Sequence, residues 1–165
     1  MQAPRKLKNV KCLEDLDGLA KSYLPKAIWE FGSAGTEKNV SRDGNRRVFD
    51  EIWLQPRILK DVSNRSIERK LFGKNHSMPF GISPMGASAM FGFEADVNFA
   101  RAAKVANIPY ILSGSSLIPL ERVADANSEV WFQAYVEADR DSIGATAERV
   151  REAGIRNLVI TVDVP

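Results

Sequence analysis

The stretch Trp131–Pro165, WFQAYVEADRDSIGATAERVREAGIRNLVITVDVP, decides the fold. Val130–Val136 is an apolar run of strand length. Residues 142–153 then read as a helix stopped by Gly154, and Leu158–Val162 is a second apolar run. Two strands joined through one covering helix lie parallel, because a direct turn can only reverse the chain. The pattern repeats on the amino-terminal side. Phe80–Ser83 is a short apolar run ended by Pro84 and Gly86, and Ala95, Phe99, Ala102, Ala103 and Ala106 recur at helical spacing. Tyr110–Leu112 is closed by Ser113-Gly114-Ser115-Ser116, and a short helix follows around Leu120–Ala124. Strands therefore begin near residues 79, 109, 130 and 157, which predicts an α/β fold with a parallel sheet.

Pattern alone leaves a (β/α)8 barrel and an open doubly wound sheet both standing. No Gly-x-Gly-x-x-Gly follows the first strand, which argues against the usual dinucleotide fold. Four strands cannot close an eight-stranded barrel. A parallel strand also requires cover on both faces and a partner at its edge. The expectation is thus an incomplete barrel, with the remainder supplied by further sequence or by a second chain.

Upstream, Leu13, Leu16, Ala20, Tyr23 and Leu24 predict one helix, and Pro25 suits the first turn of another whose body is Ile28, Trp29 and Phe31. A highly polar helical stretch covers about 36–49, either as a solvated face or salt-bridged to another part of the protein. Residues 66–72 can form a short antiparallel strand. The expected organisation is a helical segment and connector over 1–78, followed by the first four barrel strands over 79–165.

Composition narrows the function classes. The 165 residues are 44% hydrophobic and 27% charged, within the globular range. A net charge of +2 lacks the basic excess of a nucleic-acid-binding domain. Arg5, Lys6, Lys8 and Lys11 read as a solvated tail, with a membrane surface as the alternative. Cys12 is the only cysteine and His76 the only histidine, so an internal disulfide and a cysteine-based zinc site are excluded and no metal is expected. His76, in Gly-Lys-Asn-His-Ser, reads as a surface turn residue. No run is long and apolar enough to span a membrane, and no apolar core follows the basic start as in a signal peptide. The expectation is a cytoplasmic protein, or one resting at a membrane periphery.

Chemistry is expected at the carboxyl ends of the strands, where parallel α/β folds bind ligands. Ser113, Gln133, Tyr135, Thr161 and Asp163 all fall there. Gln133 and Tyr135 lie two apart on one strand and share a face, as do Thr161 and Asp163 on the next. Inward-pointing Gln and Thr need polar partners, which a planar, hydrogen-bonding cofactor ring supplies. Asp163 can polarise a base or orient an arginine, and strand-end capping is the plainer alternative for the set. The Pro84-Met85-Gly86 turn can offer backbone groups to the same ligand. Trp53 and Trp131 are expected to pack in the core.

These residues lie in segments that resemble the FMN-dependent 2-hydroxy-acid oxidase and dehydrogenase family, which includes glycolate and lactate oxidases and membrane-associated mandelate dehydrogenases. The matching stretches are LPKAIWEFGSAG (24–35), NRRVFDEIWLQPRILKDV (45–62), MPFGISPMG (78–86), WFQAYV (131–136) and LVITVDVP (158–165). The resemblance implies a (β/α)8 barrel that binds FMN and oxidises a 2-hydroxy acid to a 2-oxo acid. It implies flavin contacts from Pro84, Met85, Gly86, Ser113, Gln133 and Thr161. Tyr135 would hold the substrate hydroxyl, and Asp163 would pair with a catalytic histidine, whose protonated form gains from a carboxylate. That histidine, the carboxylate-binding arginines, a flavin-contacting lysine and the phosphate loop would all lie beyond residue 165. The chain by itself is therefore expected to be inactive, and family members form homo-oligomers. Two departures stand out. Trp29 occupies the position of a tyrosine in the family's L-P-K-x-x-Y segment that binds the substrate carboxylate. Ser115 replaces an aromatic residue, which implies a wider or less apolar pocket. A flavin-type isopentenyl-diphosphate isomerase and a non-catalytic half-barrel that binds a partner across its edge are the alternatives.

Overall fold

The computed structural model describes residues 7–135 and 139–162. The chain divides into two compact units, Met1–Asp61 and Val62–Pro165.

The first unit holds three helices, α1 (Asp15–Tyr23), α2 (Lys26–Ser33) and α3 (Val40–Asp50). The Asp15 carboxylate accepts the backbone N–H groups of Lys11 and Cys12, satisfying donors just ahead of α1. Pro25 caps the start of α2, where a missing N–H costs nothing. The polar helix α3 ties back locally: Arg42 donates to the Ser33 carbonyl at 2.6 Å, and Arg46 pairs with Glu14. None of the three helices buries a residue. Trp53 corrects an expectation here. It is 88% exposed rather than packed in a core, because helices that bury nothing leave it no core to enter.

The second unit opens with an antiparallel hairpin, β1 (Arg69–Leu71) and β2 (Lys74–His76), turned at Phe72-Gly73. Gly73 takes φ +84°, a conformation that glycine adopts freely. His76 is the second correction: it is buried within β2, at 4% exposure, rather than sitting on a surface turn. The cause is tertiary. Ser77 N donates to the Asn107 carbonyl (2.9 Å), and Asn107 Nδ2 donates to the Asn75 carbonyl (3.3 Å), which lays this polar strand against the residues that end the next helix. Phe72 meets Trp131 edge-on at 5.1 Å between ring centroids, leaving Trp131 half-buried at the amino end of its strand.

The parallel sheet follows in the order β3 (Ile111–Ser113), β4 (Trp131–Tyr135), β5 (Leu158–Thr161). The strand expected at Phe80–Ser83 is reduced to a single parallel bridge, Ile82 to Tyr110. Two bonds hold it: Ile82 N donates to the Pro109 carbonyl, and Ile111 N donates to the Ile82 carbonyl. Pro84 and Pro109, which lack N–H groups, prevent it from lengthening. Gly81 allows the approach, since a Cβ there would lie 2.5 Å from the Pro109 oxygen. Helices α4 (Ala95–Ala106), α5 (Leu120–Ala126) and α6 (Arg140–Glu152) alternate with the strands. Each strand adds beside its predecessor with no reversal of direction, which is the order of a barrel; a doubly wound sheet reverses at its switch point.

One apolar core joins sheet and helices: Leu112, Phe132 and Ala134 from the strands with Val97, Ala100 and Ala103 of α4, Leu120 and Val123 of α5, and Val150 of α6. The Asp139 side chain caps α6 by accepting Ser142 N, and Arg149 forks onto Glu121, tying α6 to α5 at 2.7 and 3.0 Å. On β5 the outward residues Leu158 and Ile160, register partners of Phe132 and Ala134, remain 46% exposed.

Candidate functional site

Register aligns the polar residues before any ligand is considered. Ser113 pairs with Gln133 across β3 and β4, and Tyr135 pairs with Thr161 across β4 and β5. All four stand at the carboxyl ends of three neighbouring parallel strands. Ser113 and Gln133 are buried, Thr161 is half-buried, and Tyr135 is exposed.

The Gln133 amide links the three strands. Its Oε1 accepts from Ser113 Oγ and from the Gly114 backbone N–H, both at 3.2 Å, while its Nε2 donates to Thr161 Oγ1 at 2.8 Å. The Gly114 N–H, which can only donate, fixes which end of the amide is oxygen. Among the described residues, one Nε2–H of Gln133 and the Thr161 hydroxyl hydrogen are left without an acceptor. The site thus offers two donors side by side, a set suited to carbonyl oxygens or ring nitrogens of a planar ligand.

A second tier joins the loops beyond the strands. Ser115 N donates to Ser113 Oγ at 3.1 Å, Ser116 N donates to the Ser113 carbonyl at 3.0 Å, and Ala87 N donates to the Ser115 carbonyl at 3.0 Å. The Pro84-Met85-Gly86 loop is therefore pinned to the Ser113–Ser116 turn, with Met85 and Gly86 exposed beside it. A Cβ on Gly86 would lie 3.2 Å from the Ser115 Cβ, and one on Gly114 would lie 2.8 Å from the Gln133 carbonyl oxygen. Both glycines stand where backbone must come close to a neighbour.

The structure brings Pro84, Met85, Gly86, Ser113, Gln133, Tyr135 and Thr161 to one edge of the second unit. Asp163 lies outside the described residues. Trp29 belongs to α2 in the first unit, where it lines a cavity of about 670 Å³ with Asp17, Arg42 and Arg46. Sequence reasoning missed the backbone contributors Gly114 and Ala87, which no side chain advertises. It also missed Asp96, whose carboxylate takes the hydroxyls of Tyr110 and Ser116. Its signal was available: Asp96 shares the apolar row of α4 with Ala100 and Ala103, an odd position for a carboxylate. Among the described residues no group of His, Cys, Asp and Glu is arranged to hold a metal, and no helix is long and apolar enough to cross a membrane.

Comparison with known proteins gives this geometry its context. Residues 20–165 match the model of the FMN-dependent dehydrogenase family. L-lactate dehydrogenase of Vibrio cholerae is 36% identical over 152 residues, covering 92% of this chain and 40% of its own length. L-lactate dehydrogenase of Pseudomonas syringae is 36% identical over 157 residues, covering 94% and 41%. Among solved structures, mandelate oxidase superposes with a TM-score of 0.86 at 31% identity, covering 93% of this chain and 45% of that one. A soluble mutant of the membrane-associated (S)-mandelate dehydrogenase of Pseudomonas putida gives 0.86 at 34%, covering 94% and 45%. The chain spans less than half the length of these relatives, and its strand–helix units form part of a (β/α)8 barrel. From the family match and these likenesses together, the chain belongs to the FMN-dependent dehydrogenases.

Proposed function

We propose that this chain forms the amino-terminal half of an FMN-dependent enzyme that oxidises a 2-hydroxy acid to the 2-oxo acid. The observation that carries the reading is the Ser113–Gln133–Thr161 chain, which among the described residues leaves two donors without acceptors at the carboxyl edge of the sheet. That donor pair fits the carbonyl-bearing edge of a flavin ring, and the exposed Met85-Gly86 backbone can lie along it. FMN, when bound, serves as the two-electron acceptor.

The remaining roles belong to the protein. Gln133 and Thr161 orient the ring by hydrogen bonds fixed beforehand, and Ser113 holds the Gln133 amide in register. Tyr135, exposed at the end of β4, donates its phenol to the substrate hydroxyl. Asp163 steadies a histidine that takes up the substrate's α-proton, since a nearby carboxylate favours the imidazolium. Trp29 stands for the carboxylate-binding tyrosine of the family and offers a single indole N–H. The histidine, the arginines for the substrate carboxylate and the phosphate contacts come from a complementary carboxyl-terminal half, as a continuation of this polypeptide or as a second chain. The exposed Leu158 and Ile160 on β5 are consistent with such a neighbour. The complete protein acts as a homo-oligomer, with a membrane-peripheral site as the alternative to the cytoplasm.

The test is reconstitution with a carboxyl-terminal half. Flavin absorbance should co-purify with the assembly and bleach when a 2-hydroxy acid is added without oxygen, and Gln133→Met should lose the bound flavin while keeping the fold. An assembled protein that takes up no flavin overturns the reading.

A further inference from the structure

Beneath the strand-end cluster lies a buried carboxylate that the proposed chemistry does not use. Asp96, in the first turn of α4, is 1% exposed. One of its oxygens accepts the Tyr110 hydroxyl and the other accepts the Ser116 hydroxyl, both at 2.7 Å. Burying a carboxylate is costly unless its oxygens are satisfied, and a helix's first turn favours negative charge. Ser116 Oγ also accepts Ile118 N at 3.0 Å and lies 3.1 Å from the Ile118 carbonyl, with Asp96 the nearer acceptor for its one hydrogen. The Tyr110 phenol is buried, and burial followed by the bond to Asp96 raises its pKa well above the ordinary tyrosine range, so it remains a donor.

The connections run upward from Asp96. Ser116 closes the turn whose first residue, Ser113, bonds Gln133, and whose third, Ser115, accepts Ala87 N. We propose that Asp96 is a positioning residue for the cofactor cradle, acting through Ser116 to fix the 113–116 turn and, through that turn, the Gln133 amide and the 84–87 loop. This rests on the flavin reading above for its consequence, but not for the linkage itself. Tyr110 donates to the same carboxylate from the strand side. It anchors Asp96 to the bridge at Ile82.

The linkage is tested on the chain as it stands, by amide hydrogen exchange. Ser116→Ala and Asp96→Asn should speed exchange at Ala87 and Gly114 by about tenfold, the scale of one lost hydrogen bond to a charged acceptor, relative to the amides of α6. Ser116→Thr, which keeps the hydroxyl, should restore protection. Tyr110→Phe should lower the melting temperature while leaving Ala87 and Gly114 protected relative to α6. In the reconstituted protein, Ser116→Ala should weaken FMN affinity by a similar factor and alter the flavin's visible circular dichroism. A purely structural role would instead make all three deletions speed exchange evenly across the unit, and that result overturns the proposal. Unchanged exchange in Ser116→Ala overturns it too. If wild-type protein takes up no flavin, the functional reading fails, while the exchange comparison still decides whether Asp96 holds the turn.

Discussion

Alternate residues of the same strands build two unlike surfaces. On one face of the sheet Leu112, Phe132 and Ala134 are buried in apolar contact with α4, α5 and α6. On the other, Ser113, Gln133 and Thr161 hydrogen-bond one another. The first face draws its stability from burial and tolerates changes of chemistry that preserve volume. The second depends on each donor finding its acceptor, so a small displacement there leaves polar groups unsatisfied. The difference teaches where to look for function: the apolar face explains why the unit folds, and the polar face, among the described residues, keeps donors to spare.

Four substitutions probe that contrast. Leu112→Ala should be the most damaging to stability, by about 2–5 kcal/mol in chemical denaturation, since it opens a cavity in a fully buried site. If it proves as mild as a surface change, the apolar face is not the source of stability. Gly114→Ala should cost about 1–3 kcal/mol, because the new methyl meets the Gln133 carbonyl and forces β3 away from β4. It should also displace the Gly114 amide from Gln133 Oε1, so its effect on flavin retention should exceed that of Leu112→Ala measured below each protein's melting temperature. Ala87→Gly should add about 0.5–1 kcal/mol, as Ala87 sits at φ +51°, where a side chain is strained. No gain would mean that the loop relaxes without help.

The smallest effect belongs to Asp139, the cap of α6. The Ser142 hydrogen bonds hold its carboxyl below the usual aspartate range. A carboxyl whose pKa is depressed by folding adds stability above its unfolded pKa and loses it as pH falls through the folded value. Asp139→Ala should therefore be less stable than wild type at neutral pH, with the gap closing in acid. A gap that persists below the carboxylate range would assign the effect to the backbone instead.

The parts of the fold legible in the sequence are those whose pattern is local. α4 and α6 announce themselves by helical spacing, and β4 and β5 by apolar runs bounded by turn residues. The polar residues Gln133 and Thr161 in otherwise apolar strands mark an inward face on sequence alone, and the bond between them bears this out. The illegible parts depend on partners far along the chain. Lys-Asn-His carries no strand signal, and His76 is buried only because Asn107 receives the end of the hairpin. Trp53 looked like a core residue by type, yet type cannot supply the neighbours that a core requires. The strand at Ile82 shrank to one bridge because two prolines removed donors on either side of the pairing.

The hydrogen bonds around Gln133 also bear on time. The amide, its two acceptances and the bond to Thr161 are complete within the protein, so a flavin ring bound as proposed would find its donors already aimed. Capture at this edge then needs no slow rearrangement before contact: its observed rate should climb in proportion to ligand concentration, without the plateau that a preceding isomerisation imposes. Loosening the Ser113–Gln133 link would introduce that plateau, turning a recognition step governed by encounter into one governed by waiting.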